Sequence, residues 1–73
     1  MKKYYFTCGQ SHSHLLAGRY TWDKDSMICV EAKTKDAAID FIMGKFGTQW
    51  AMCYDTPVSK EYAPNGIIKT FTL

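Results

Sequence analysis

The chain has 73 residues, of which 47% are hydrophobic, 15% aromatic and 22% charged, a balance that fits a folded globular protein and excludes a disordered one. This length holds a single domain, residues 1–73, with one small core, and it leaves little material for a water-excluding catalytic cleft. The formal charge of +2 comes from nine basic and seven acidic residues spread along the chain, unlike the concentrated basic face of a typical nucleic-acid binder.

Lys3 to Cys8 is rich in β-formers, and Tyr4, Phe6 and Cys8 alternate with Tyr5 and Thr7 at the period of a strand with one buried face. Gly9-Gln10-Ser11-His12-Ser13-His14 is small and polar and reads as a loop. A long structureless connection is uncommon in a small domain, so Leu15 to Trp22 is expected to extend the next strand backwards or to form an arm. Asp23-Lys24-Asp25-Ser26 has the chemistry of a turn. Met27 to Ala32 then predicts a strand with Ile28, Val30 and Ala32 on one face and Met27, Cys29 and Glu31 on the other.

One helix is predicted over about 34 to 46. Thr34 can cap its start, Asp36 places a negative charge in the first turn, and Gly47 can supply a left-handed C-cap. Its apolar stripe is Ala38, Ile39, Ile42, Met43 and Phe46, and a sheet face is the only surface large enough to receive it. Trp50 to Asp55 predicts a third strand, with Trp50, Met52 and Tyr54 opposite Ala51 and Cys53. The Pro57 region ends that strand, and Pro64-Asn65-Gly66 carries turn residues. Ile67 to Leu73 follows as a last strand with Ile67, Phe71 and Leu73 facing one way. The fold class is α+β: one domain of order β-β-α-β-β, its helix packed on a mainly antiparallel sheet.

Cys8, Cys29 and Cys53 are odd in number and form no Cys-x-x-Cys pair, which suits core thiols of a reducing cytoplasm. No basic segment leading into an apolar stretch opens the chain, and no run approaches the roughly 18 apolar residues of a membrane span, so a cytoplasmic protein without a membrane partner is expected. Cys29 and Cys53 lie on strands, where a buried thiol away from positive charge is inert, and Cys8, beside the polar loop, is the only candidate nucleophile. With no complete catalytic set, the reading is not an enzyme and no cofactor is assigned.

The polar loop supports two binding readings. His12 and His14 lie two apart with Cys8 nearby, and Asp23 or Asp25 would have to complete a tetrahedral site; the spacing matches no strong zinc signature, so no metal is assigned. Alternatively, Gly9 permits close backbone approach while Gln10, Ser11, His12, His14 and Arg19 supply polar groups for a nucleotide-like ligand, without the spacing of a P-loop. A third constellation is aromatic. Tyr5, Tyr20, Trp22 and Tyr54 can stack bases or anchor a protein interface, and without a basic stripe a protein partner is favoured over nucleic acid. An edge strand on a marginal core also leaves a homodimer open.

Tyr4-Tyr5-Phe6-Thr7-Cys8-Gly9-Gln10-Ser11-His12, Cys29-Val30-Glu31-Ala32, Phe46-Gly47 and Trp50-Ala51-Met52-Cys53-Tyr54 together resemble a family of small proteins encoded by bacteriophages and integrated mobile elements. Those proteins read aromatic-Thr-Phe-Gly, a Gly/His loop, an Ala-Arg-rich helix ending Phe-Gly, and Trp-Ala-Phe-Gln-Tyr. Here Cys8 stands for the Phe, Cys53 for the Gln, and Ala38-Ile39 lacks the Arg. The resemblance implies a setting, a phage or prophage accessory protein acting inside a bacterium, and in that setting a small non-enzymatic protein is expected to bind and inhibit a bacterial host or antiviral-defence factor, as an anti-CRISPR or other anti-defence protein. Sequestering a nucleotide signal is the alternative in that setting.

Overall fold

The computed structural model describes residues 1–16, 18 and 20–73, with the side chain of Tyr20 outside the description. Six strands and one helix follow one another as β1 (Lys2–Thr7), β2 (His14–Leu16), β3 (Tyr20–Trp22), β4 (Ser26–Ala32), α1 (Lys35–Phe46), β5 (Met52–Tyr54) and β6 (Gly66–Thr72). The class is α+β. The expected order understates the chain by two strands, because part of the Leu15–Trp22 stretch forms a separate antiparallel hairpin, β2 with β3, and does not extend β4 backwards.

The main sheet has the order β5-β1-β4-β6. Strand β1 pairs antiparallel with both β4 and β5, whereas β6 runs parallel to β4, so the sheet is mixed and mostly antiparallel. Helix α1 starts where Thr34 accepts the Ala37 N–H at 3.1 Å and stops where the Gly47 N–H, at φ 68°, donates to the Met43 carbonyl at 2.9 Å. Ala38 and Ile42 are fully buried under it, with Ile39, Phe41 and Phe46 packed around them. Met43, expected in that stripe, is 40% exposed, and Phe41 packs on the core and on Phe71.

Tyr4, Phe6, Cys8, Ile28, Val30 and Ala32 face the helix, as their alternation requires. The hairpin closes the same core at the C-terminal end of α1, with Leu16 and Trp22 buried and Trp22 edge-on to Phe46 at 5.0 Å. The opposite face of the sheet is also covered. Tyr5, Met27 and Cys29 are buried there beneath Ala63, with Tyr54 and Val58 packed alongside. The cover is segment 55–65, which joins β5 at one edge to β6 at the other and must therefore cross the sheet. It is pinned in transit: Ser59 O accepts from the Ala63 N–H at 3.1 Å, and the Asn65 N–H donates to Asp25 O at 2.9 Å.

Two facing expectations are corrected. Strand β5 begins at Met52, so Trp50 lies ahead of the alternation: Trp50 and Cys53 pack on the helix-side core while Tyr54 joins the other one. In β6 a bulge intervenes, since Ile67 opposes Met27 but Lys69 opposes Ile28, leaving Ile68 as the extra residue. Ile68 and Phe71 therefore pack on the helix-side core, and Ile67 is left 45% exposed. Among the described residues no helix is long and apolar enough to cross a membrane.

Candidate functional site

The polar loop leaves β1 through Gly9, whose φ is +76°. The Ala51 N–H donates to Thr7 O at 2.7 Å, and this draws the entry to β5 so close that a Cβ on residue 9 would lie 2.9 Å from the Ala51 Cβ. Glycine here is set by the chain's own packing, before any ligand is considered. Gln10 follows at the rim of a cleft of about 500 Å³ between the loop, β5 and the segment 56–62.

The rest of the loop turns away from that cleft. His14 opens β2, its ring stacked on Trp22 at 5.4 Å and tilted against Phe46 at 4.9 Å. Its Nε2 lies 2.6 Å from the Gln49 carbonyl, which can only accept, so Nε2 carries the proton and donates it. His14 is thus committed to fastening the hairpin to the end of α1. Cys8 is fully buried and its Sγ donates to Trp22 O at 3.3 Å. Burial, helped by the nearby Asp23 carboxylate, pushes its thiol up to about 12. A thiol held protonated in this way is a weak nucleophile at neutral pH. Burial also raises the thiols of Cys29, where Glu31 adds to it, and of Cys53, where Lys35 opposes it and Asp55 adds to it.

The predicted site residues therefore separate. Gly9 and Gln10 border the cleft; Ser11 and Ser13 are exposed, His12 is half-buried and His14 is engaged elsewhere; Arg19 lies outside the described residues. Of Cys8, His12, His14, Asp23 and Asp25, Asp23 lies near Cys8, but among the described residues no group of three such side chains is placed to hold a metal ion. Asp23 is instead the hub of the predicted turn: its carbonyl accepts the Ser26 N–H at 3.2 Å and its Oδ1 accepts the Asp25 N–H at 3.0 Å.

The aromatic set is corrected in the same way. Trp22 is fully buried and Tyr5 is 8% exposed, so both rings belong to the two cores and neither is presented to a partner. They are large apolar groups on strands, and a segment that sequence alone left without a role covers one while α1 covers the other. Tyr54 is half-buried at the cleft, and the side chain of Tyr20 lies outside the description.

Sequence reasoning missed Met52 and Tyr62. Met52 is 52% exposed and Tyr62 75% exposed, and they border the cleft with Tyr54 and Val58. Lys24 also reaches its rim, where its ammonium pairs with the Asp25 carboxylate at 3.2 Å in solvent. The signal available in sequence was the length of 55–65: a connection of that size with Val58, Tyr62 and Ala63 in it has something to cover or to bind. The resulting site is concave and mainly apolar, with Gln10, Lys24 and Ser59 among its few polar groups. Compared with protein families, with characterised proteins and with solved structures, the chain finds no match in any of the three.

Proposed function

We propose that this chain is a non-catalytic binding protein that occupies a surface of a bacterial host or antiviral-defence protein, with Met52, Tyr54 and Tyr62 as its contacts. The observation that carries this reading is the pairing of Tyr62, 75% exposed, with Met52, 52% exposed, at the mouth of one cleft. Exposed large apolar side chains gathered in one place are what a small domain leaves uncovered when a partner covers them, and a tyrosine brings large contact area with few rotatable bonds. The resemblance of Tyr4–His12, Phe46-Gly47 and Trp50–Tyr54 to phage and mobile-element proteins supplies the setting: inhibition of a defence factor, a CRISPR effector among them, inside the bacterial cytoplasm.

The test is phage plating on bacteria that carry a defined panel of active defence systems. Expression of the protein should restore plating against one of them, and Met52→Ser with Tyr62→Ser should lower that restoration at least about tenfold while circular dichroism and melting stay as in the parent. Full activity of the double variant would overturn the assignment of the contact, and no effect on any system in the panel would overturn the reading.

A second reading is favoured by the cleft's contents. Tyr62 offers a face for a planar base while the Lys24 ammonium and the Gln10 amide sit at the same mouth, a combination suited to a nucleotide-like ligand. A nucleotide panel at millimolar concentration should then raise the melting temperature, and the shift should vanish in Tyr62→Ser.

A further inference from the structure

At the edge of the sheet opposite the cleft, β6 is the outermost strand, and among the described residues its one backbone bond outside the β4 ladder is from the Gly66 N–H to Ala63 O, at 2.9 Å. An open edge offers alternating N–H and C=O groups that only another extended chain can satisfy together. Its side chains add a charge signal. Lys69 projects with Phe71 toward the helix face, its Nζ 5.6 Å from the Phe71 ring centroid. From the last turn of α1, Lys45 brings its own Nζ to 5.4 Å from the same ring. Two ammonium groups thus share one aromatic ring, and among the described residues neither has a carboxylate partner. Glu31, opposite Thr72 in the register, is on the other face, where its Oε2 accepts from the Thr72 hydroxyl at 3.5 Å.

We propose that the outer edge of β6 is a second binding surface that takes an extended peptide segment bearing acidic side chains, added as a further strand of the sheet. The backbone edge would supply affinity through main-chain hydrogen bonds, and Lys45 and Lys69 would select carboxylates on the helix face of the added strand. A second copy of this chain is the obvious competitor for an open edge. Antiparallel self-pairing about Phe71 would set Lys69 opposite Leu73 of the other copy and gather four lysines, Lys45 and Lys69 from each, on one face of the joined sheet, and lysine on an edge strand opposes self-association. This surface is separate from the Met52–Tyr62 cleft and does not depend on it.

The experiment is a titration of the isotope-labelled protein, read by backbone amide NMR shifts, with a capped nine-residue peptide alternating Glu with Val and Thr. A matched peptide with Lys in place of each Glu serves as the comparison. The expected result is saturable shifts centred on Ile67–Thr72, slowed hydrogen exchange of the outward β6 amides, affinity that falls as salt rises, and about tenfold weaker binding by Lys45→Gln with Lys69→Gln. Met52→Ser with Tyr62→Ser should bind the peptide as the parent does. Four outcomes would overturn the proposal: no shift at millimolar peptide, equal binding of the lysine peptide, shifts centred on Met52–Tyr54, or a concentration-dependent dimer through β6 in the protein alone.

Discussion

At the scale of single residues, Gly9 shows how a side chain's absence organises the site. The positive φ disfavours any L side chain, and the 2.9 Å approach to the Ala51 Cβ leaves no room for one. Gly9→Ala should therefore cost about 1–3 kcal/mol in urea unfolding, and adding Ala51→Gly should recover the steric part while the backbone part persists. An unchanged midpoint in Gly9→Ala would show that the contact at Ala51 is dispensable. Cys8 makes a second prediction at this scale. Its folded thiol keeps a proton up to about 12, while the unfolded chain loses it near the ordinary value of 9.0. Between those values unfolding releases a proton, so this contribution is fully present below pH 9.0 and is lost as pH rises toward 12. Unfolding midpoints measured across that window should fall more steeply in the parent than in Cys8→Ala; equal slopes would count against a protonated, buried thiol. That Cys8 is a core thiol was legible from its place in the apolar alternation of β1. That His14 is a packing residue was not, because Trp22, Phe46 and Gln49, which engage it, are distant in the chain.

At the scale of elements, α1 and β4 were the most legible parts of the chain. Each carries its own period, and α1 has both cap signals in sequence, so local chemistry alone specifies it. Thr34→Ala should remove the acceptor for the Ala37 N–H and lower stability by about 1 kcal/mol, with far-UV circular dichroism near native in buffer and the loss visible as an earlier melting transition. A transition unchanged from the parent would mean that packing of Ala38 and Ile42 holds the first turn without its cap. The strands β5 and β6 were located but their faces were misread, for two different physical reasons. A three-residue strand offers too few positions for alternation to show where it starts, so Trp50 was counted into β5. A bulge shifts the period by one residue midway, and nothing in Gly66-Ile67-Ile68-Lys69 announces it, since Ile67 and Ile68 are chemically alike. The consequence is functional as well as structural, because the shift places Lys69 beside Phe71 on the face that Lys45 also reaches.

At the scale of the whole molecule, the decisive feature is the path of segment 55–65. By carrying the chain from β5 at one edge to β6 at the other, it makes β6 parallel to β4, buries Tyr5, Met27 and Cys29, and raises the outer wall of the cleft. The crossing covers the sheet face away from α1 and leaves Met52 and Tyr62 among the exposed large apolar side chains. The α+β class, the helix with its caps, the strands β1 and β4 with their two faces, and the Asp23–Ser26 turn were determined by the sequence itself, because each rests on contacts or periods within a few residues. The separation of the polar loop from a ligand-holding arrangement, the burial of Trp22 and Tyr5, the bulge at Ile68 and the two open surfaces at opposite edges were decided only by tertiary structure. Each of those depends on which distant segment comes to lie against which face, and neither period nor composition encodes that.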